Sequence, residues 1–171
     1  LRICAKTTFF DLSGNDFDFP DEEEGGHTYL RDIVEHVHNC SDQKRVELRN
    51  THEYTDLDGL QHYTKATQLA IGGCGAIKGA ERISRTMETI KRVPELIDLD
   101  ISGSGLSTVE AEAFGQALAS CASGIQKFAF SGEKGGVSAK MSTFMTEVDL
   151  SGKALGTSGA ILFSAFLPKC T

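Results

Sequence analysis

The sequence predicts an α/β fold. The expected architecture is a right-handed solenoid with parallel strands on a concave face and helices on a convex face, in about six irregular repeats. Three observations predict it. In Leu96-Ile-Asp-Leu-Asp-Ile-Ser-Gly-Ser-Gly-Leu106, Leu99 and Ile101 alternate with Asp98 and Asp100, the period-two signature of a strand with one buried face. The spacing of that stretch, with apolar residues in its first, fourth, sixth and eleventh slots and a small residue in the ninth, returns along the chain. Between the returns, apolar residues recur every three or four positions, as on one face of a helix.

In chain order, Phe10, Leu12, Asn15 and Phe17 fill the fourth, sixth, ninth and eleventh slots of the first unit. An asparagine in the ninth slot can bond backbone groups of the turn that would otherwise lack partners. Pro20 and the run Asp21 to Glu24 make an acidic loop, and Tyr29, Leu30, Ile33, Val34 and Val37 predict a helix to about Asn39. Val46 and Leu48 open a second unit, with Arg45 and Glu47 alternating outward. The polar stretch from His52 to Lys65 has only Leu57 and Leu60 as anchors. Leu69, Ile71 and Cys74 restore the pattern, and a helix follows from about Ala76 to Arg92, ended by Pro94.

After the central strand, Ser107 and Glu110 form a capping box that opens a helix burying Val109, Ala113, Phe114, Ala117 and Leu118. Ile125, Phe128 and Phe130 mark the next strand, whose outer half, Ser138 to Thr143, is too short for a full helix. Met145, Val148, Leu150 and Leu155 predict the last strand, and Ala160 to Leu167 the last helix. Sixth slots therefore fall at residues 12, 48, 71, 101, 130 and 150.

This spacing resembles a leucine-rich repeat of the ribonuclease-inhibitor-like class, in which full helices form the outer segments. The match is good over Thr7–Phe17, Leu96–Cys121 and Met145–Thr171. The chain departs from the pattern in its uneven periods and in Glu133 and Lys153 at the ninth slot. The resemblance implies a protein–protein interaction scaffold. Similar repeats occur in actin regulators of the CARMIL and tropomodulin kind, in Ran-type GTPase activators and in NLR-type immune receptors. A GTPase activator would need a loop that helps position the attacking water, and no residues are identified for that role. The repeats also stop without a polar terminal cap, so residues 1–171 read as a single repeat domain cut from a longer array.

Composition narrows the function. Seventeen basic against 24 acidic residues give a net charge of −7, which disfavours nucleic acid and anionic membranes and suits a partner protein with a basic surface. No apolar run is long enough to span a membrane. The five cysteines, Cys4, Cys40, Cys74, Cys121 and Cys170, contain no CxxC pair. Cys40, Cys121 and Cys170 each follow a helix-end aliphatic by three residues. They read as reduced packing residues of a cytoplasmic protein rather than a disulfide framework.

Candidate chemistry is sparse. Phe130-Ser-Gly-Glu-Lys-Gly-Gly-Val-Ser-Ala-Lys140 resembles the phosphate loop of partition-type ATPases, but Ser138-Ala139 replaces the glycine before the lysine and only 31 residues follow. His36, His38 and Cys40, with Glu35, are the densest potential metal ligands. On a helix His36 and Cys40 share a face while His38 points elsewhere, so no closed site is expected unless His27 or His52 completes it. No nucleophilic triad is visible. We therefore expect no enzyme activity, no metal and no cofactor. The strand positions flanking the buried slots should face the concave side. They carry Asp11, Arg45, Glu47, Asp98, Asp100, Lys127, Glu147 and Asp149, six acids against two bases. This acidic face either attracts a basic partner or keeps an exposed sheet soluble.

Overall fold

The computed structural model describes residues 9–11, 45–47, 66–73, 77–121, 124–133 and 136–170. Among the described residues six short strands form one sheet in sequence order: β1 (Phe9–Asp11), β2 (Arg45–Glu47), β3 (Gln68–Ala70), β4 (Asp98–Asp100), β5 (Lys127–Phe130) and β6 (Ala139–Ser142). The first five are parallel, and β6 pairs with β5 antiparallel. Three α-helices among the described residues accompany them: α1 (Ala80–Ile90), α2 (Thr108–Ser120) and α3 (Gly156–Phe166). The fold is thus mixed α/β with a mostly parallel, open sheet.

The parallel register is the one the slot alignment anticipates. Phe10, Val46, Leu69, Leu99 and Phe128 lie opposite one another through β1 to β5. Val46, Leu69, Leu99 and Phe128 are buried. Beyond the strands, the Ile71 amide donates to the Asp100 carbonyl (2.9 Å) and the Ile101 amide to the Ala129 carbonyl (2.8 Å), so Ile71, Ile101 and Phe130 extend the ladder by one place. Leu12 and Leu48 lie outside the described residues. So do the expected helix to Asn39, the segment from His52 to Lys65, and Cys74.

Helices cover the buried row. Phe128 stacks on Phe114 of α2 (6.1 Å between centroids), on Phe166 of α3 (5.4 Å) and on Phe130 (5.2 Å), tying strand and helices into one core. Helices α2 and α3 approach closely because Gly115 lacks a side chain; a Cβ there would lie 3.2 Å from that of Ala165. Val109 corrects the expectation for α2. It is exposed, and Ala111 and Gly115 are buried instead, alongside Phe114 and Leu118. The helix therefore turns its seam away from its second residue.

Helix α1 begins at Ala80 rather than near Ala76, because Gly79 takes φ +82° at the N-cap, outside helical space. The Ser107–Glu110 capping box forms as expected and does more. Glu110 accepts from the Ser107 amide (2.8 Å) and also from the Gly79 amide (2.7 Å), so one carboxylate secures the starts of two helices. Burial works to raise its pKa, but the hydrogen bonds from Ser107 and Gly79, aided by Lys78, outweigh it and leave the carboxyl below its usual value. A depressed carboxylate pKa contributes stability that is complete above the ordinary range and lost as pH falls through the lowered value. Glu110→Ala should therefore cost about 1 kcal/mol in neutral urea denaturation. The gap to the native chain should narrow as the pH is taken down through that range; a pH-independent gap would contradict the account.

Serine hydroxyls stitch the turns of successive units. The Gly73 amide donates to Ser104 Oγ (3.4 Å), the Gly103 amide to Ser131 Oγ (2.9 Å), and Ser102 and Ser138 share a hydroxyl contact of 2.7 Å. Ser104, in the ninth slot, also donates to the Ile101 carbonyl. The unusual ninth-slot residues also find partners. Lys153 Nζ donates to the Ser138 carbonyl (3.0 Å), and Glu133 accepts from the Thr108 hydroxyl (3.0 Å).

The sixth parallel strand does not form. Residues 145–150 are irregular; Val148 is exposed and Leu150 only half-buried. The reason lies just upstream. Ala139 and Met141 point inward while Lys140 and Ser142 point outward, so this segment fits the pleat and takes the free edge of β5 as a hairpin. The last unit keeps its turn and helix without its strand. The Ser151 amide donates to Asp149 Oδ1 at 2.8 Å, the same contact that the Ser102 amide makes with Asp100 Oδ1. This turn packs against the loop after β5, where a Cβ on Gly132 would sit 2.4 Å from the Leu155 carbonyl oxygen. Helix α3 then starts at Gly156, earlier than expected.

Candidate functional site: the open sheet face

Because side chains alternate along a strand, the residues flanking the buried row project from the opposite face in two files. From β2 to β6 the first runs Arg45, Gln68, Asp98, Lys127, Ser142, and the second Glu47, Ala70, Asp100, Ala129, Lys140. Phe9 and Asp11 of β1 hold the corresponding register positions beside Arg45 and Glu47. Of the expected binding residues, Arg45, Glu47, Asp98, Asp100 and Lys127 thus fall in these files, and Asp11 holds the next register position on β1. From β2 to β6 the two files floor an open cavity of about 530 Å³. Met145 and Glu147, on the irregular segment after β6, form its side wall.

Two residues depart from the expectation. Glu147 reaches the cavity from the wall rather than from a strand, and Asp149 does not line it. The side-chain hydroxyl and backbone amide of Ser151 hold the Asp149 carboxyl below its usual pKa, so its role is to cap its own turn. In their place β6 brings Lys140 and Ser142 onto the face. The acidic excess expected there shrinks accordingly: from β2 to β6 the ladder presents Glu47, Asp98 and Asp100 against Arg45, Lys127 and Lys140.

The electrostatics are uneven across the face. Arg45 and Glu47 form an ion pair on β2. Burial pushes the Asp98 carboxyl above its usual pKa. Lys127 pulls it back, Asp100 reinforces the rise, and Lys140 and Arg45 oppose it more weakly. Asp100 is committed on one oxygen to the Ser102 amide. Lys127 and Lys140 are exposed, on neighbouring strands and diagonal to each other across the small Ala129.

The phosphate-loop resemblance ends here. Lys140 lies within a strand and faces the open side of the sheet, whereas a phosphate loop needs its lysine at the start of a helix. His27, His36, His38, His52 and Cys40 lie outside the described residues. Among the described residues, no three His, Cys, Asp or Glu side chains are grouped closely enough to hold a metal ion. Cys121 is buried at the end of α2 and Cys170 is half-buried, with Sγ 3.6 Å from the Ser142 carbonyl oxygen. Burial pushes the Cys170 thiol up, away from the reactive thiolate. Among the described residues no helix is long and apolar enough to cross a membrane.

The signal for Lys140 and Ser142 was present in the sequence. Val137, Ala139 and Met141 alternate with Ser138, Lys140 and Ser142, a strand pattern hidden beneath a more conspicuous glycine and lysine motif. No protein-family model matches the chain, and no curated protein or solved structure shows significant similarity to it.

Proposed function

We propose that this chain is a leucine-rich-repeat solenoid of the ribonuclease-inhibitor-like kind and acts as a protein–protein interaction scaffold, binding its partner through the open strand face without covalent chemistry. The observation that carries this reading is the unbroken parallel register from β1 to β5, which from β2 onward sets charged side chains in two files along the floor of a cavity of about 530 Å³. Neighbouring strands stand roughly 4.8 Å apart. A partner laid across them meets many contacts in fixed order, which suits recognition of a protein surface better than enclosure of a small molecule. Charges on such a platform favour specificity and rate of association.

The test compares two double variants as affinity baits. D98K/D100K reverses the middle of the face, while E81K/R85E reverses an exposed ion pair on α1, away from it. Partners recovered by the native chain should be depleted at least about tenfold by the first and retained by the second. Equal recovery by both baits would remove the strand face from consideration.

A further inference from the structure

The open face is not uniform in sign, and the order of its charges selects among protein segments. From β4 to β6 the register aligns Asp98, Lys127 and Ser142 in one file and Asp100, Ala129 and Lys140 in the other. Both acids are therefore on β4, and both lysines lie on the two strands beyond it. On the far side, Arg45 and Glu47 of β2 satisfy each other. The polarity across the cavity therefore comes from two acids followed by two bases. From β4 to β6 is two strand spacings, roughly 10 Å.

We infer that the face receives a protein segment in the polyproline II conformation running across the strands, with a basic side chain against Asp98 and Asp100 and an acidic side chain three residues away against Lys127 and Lys140. This rests on the strand-face reading above and specifies its partner. Three residues of a polyproline II chain rise roughly 9 Å and complete one turn, so both side chains meet the face, and the rise matches the two strand spacings from Asp100 to Lys140. The small Ala129 leaves room between them. Each like-charged alternative meets a penalty. A wholly basic segment would set a cation beside Lys127 and Lys140, and a wholly acidic one would set an anion beside Asp98, whose charge is already disfavoured by burial. Polynucleotides fail on the same ground, since they offer no cation to the acidic half.

Three blocked hexapeptides serve as probes: Gly-Lys-Gly-Gly-Glu-Gly, Gly-Lys-Gly-Gly-Lys-Gly and Gly-Glu-Gly-Gly-Glu-Gly. Each is titrated into the full chain at low ionic strength while backbone amide shifts are followed by NMR. The mixed peptide should bind about fivefold more tightly than either like-charged one, as expected for two pairs of modest strength, and should shift amides of β4 to β6. K127E/K140E should transfer the preference to the Lys-Lys peptide, and D98K/D100K to the Glu-Glu peptide. Equal binding of the three, or preference of the native chain for a like-charged peptide at these same amides, would overturn the charge order while leaving the strand face as a binding surface. Shifts absent from β4 to β6 with every peptide would overturn both.

Discussion

Replacing Phe128 by alanine is expected to lower the unfolding free energy by about 3–5 kcal/mol. The ring is buried at the centre of a stack with Phe114, Phe130 and Phe166, so it joins β5 to two helices at once. Those three neighbours belong to different elements and cannot all close into the void. A loss of that size is comparable to much of the stability of an ordinary domain, about 5–15 kcal/mol. Urea denaturation followed by far-ultraviolet circular dichroism should show the midpoint falling sharply, or a chain unfolded without denaturant. Phe128→Leu keeps most of the volume and should cost clearly less. A Phe128→Ala midpoint within about 0.5 kcal/mol of the native value would mean that the stack does not hold the helix layer to the sheet.

Gly72→Ala should be comparably damaging for a different reason. A Cβ at Gly72 would lie 1.7 Å from the Ser102 carbonyl oxygen, a backbone atom of the next unit that cannot swing aside. Accommodation means prising apart two turns held together by the Gly73 to Ser104 contact and by the ladder bond from Ile71 to Asp100. Overpacking of this kind costs about 1–3 kcal/mol and more where backbone must move. Gly103 is the natural control. It has φ +81° and nothing within 4 Å of its would-be Cβ, so alanine there meets only the conformational cost, about 1–2 kcal/mol. Hydrogen exchange should separate the two. Gly72→Ala should expose the amides of Ile71 and Ile101 together, while Gly103→Ala should leave the former protected. Equal protection in both variants would refute the close approach.

Local features of this fold are legible in the sequence, and contacts between distant residues are not. The apolar slots of β3, β4 and β5 were legible because one face of each strand is buried, which forces the period-two pattern into the sequence. The Ser107 capping box was legible because it is local. The reach of Glu110 to Gly79 was not, since it joins residues 31 apart and any exposed glutamate looks the same in a sequence. On the open face, Asp98, Asp100 and Lys127 followed from the slot alignment. Lys140 was misplaced because Ser138 to Thr143 reads as a shortened outer segment of its unit, and only its pairing with β5 reveals the hairpin. Val148 and Leu150 looked like a strand because their turn, Asp149 to Gly152, is a faithful copy of Asp100 to Gly103. A turn motif can therefore form without the strand that its sequence leads one to expect.

The hairpin strand β6 has a bearing on how the molecule avoids its own copies. A terminal strand with vacant amides and carbonyls is a template for fibril-like growth. Here the Ser142 amide meets Met145 Sδ (3.5 Å), its carbonyl accepts from the Met145 amide (3.1 Å), and the Ser138 carbonyl is occupied by the Lys153 ammonium (3.0 Å). Between these blocked ends stands the charged Lys140. The border is sealed by its own downstream segment, so self-association by strand addition is discouraged on this flank, and the charged platform beside it stays clear for other chains.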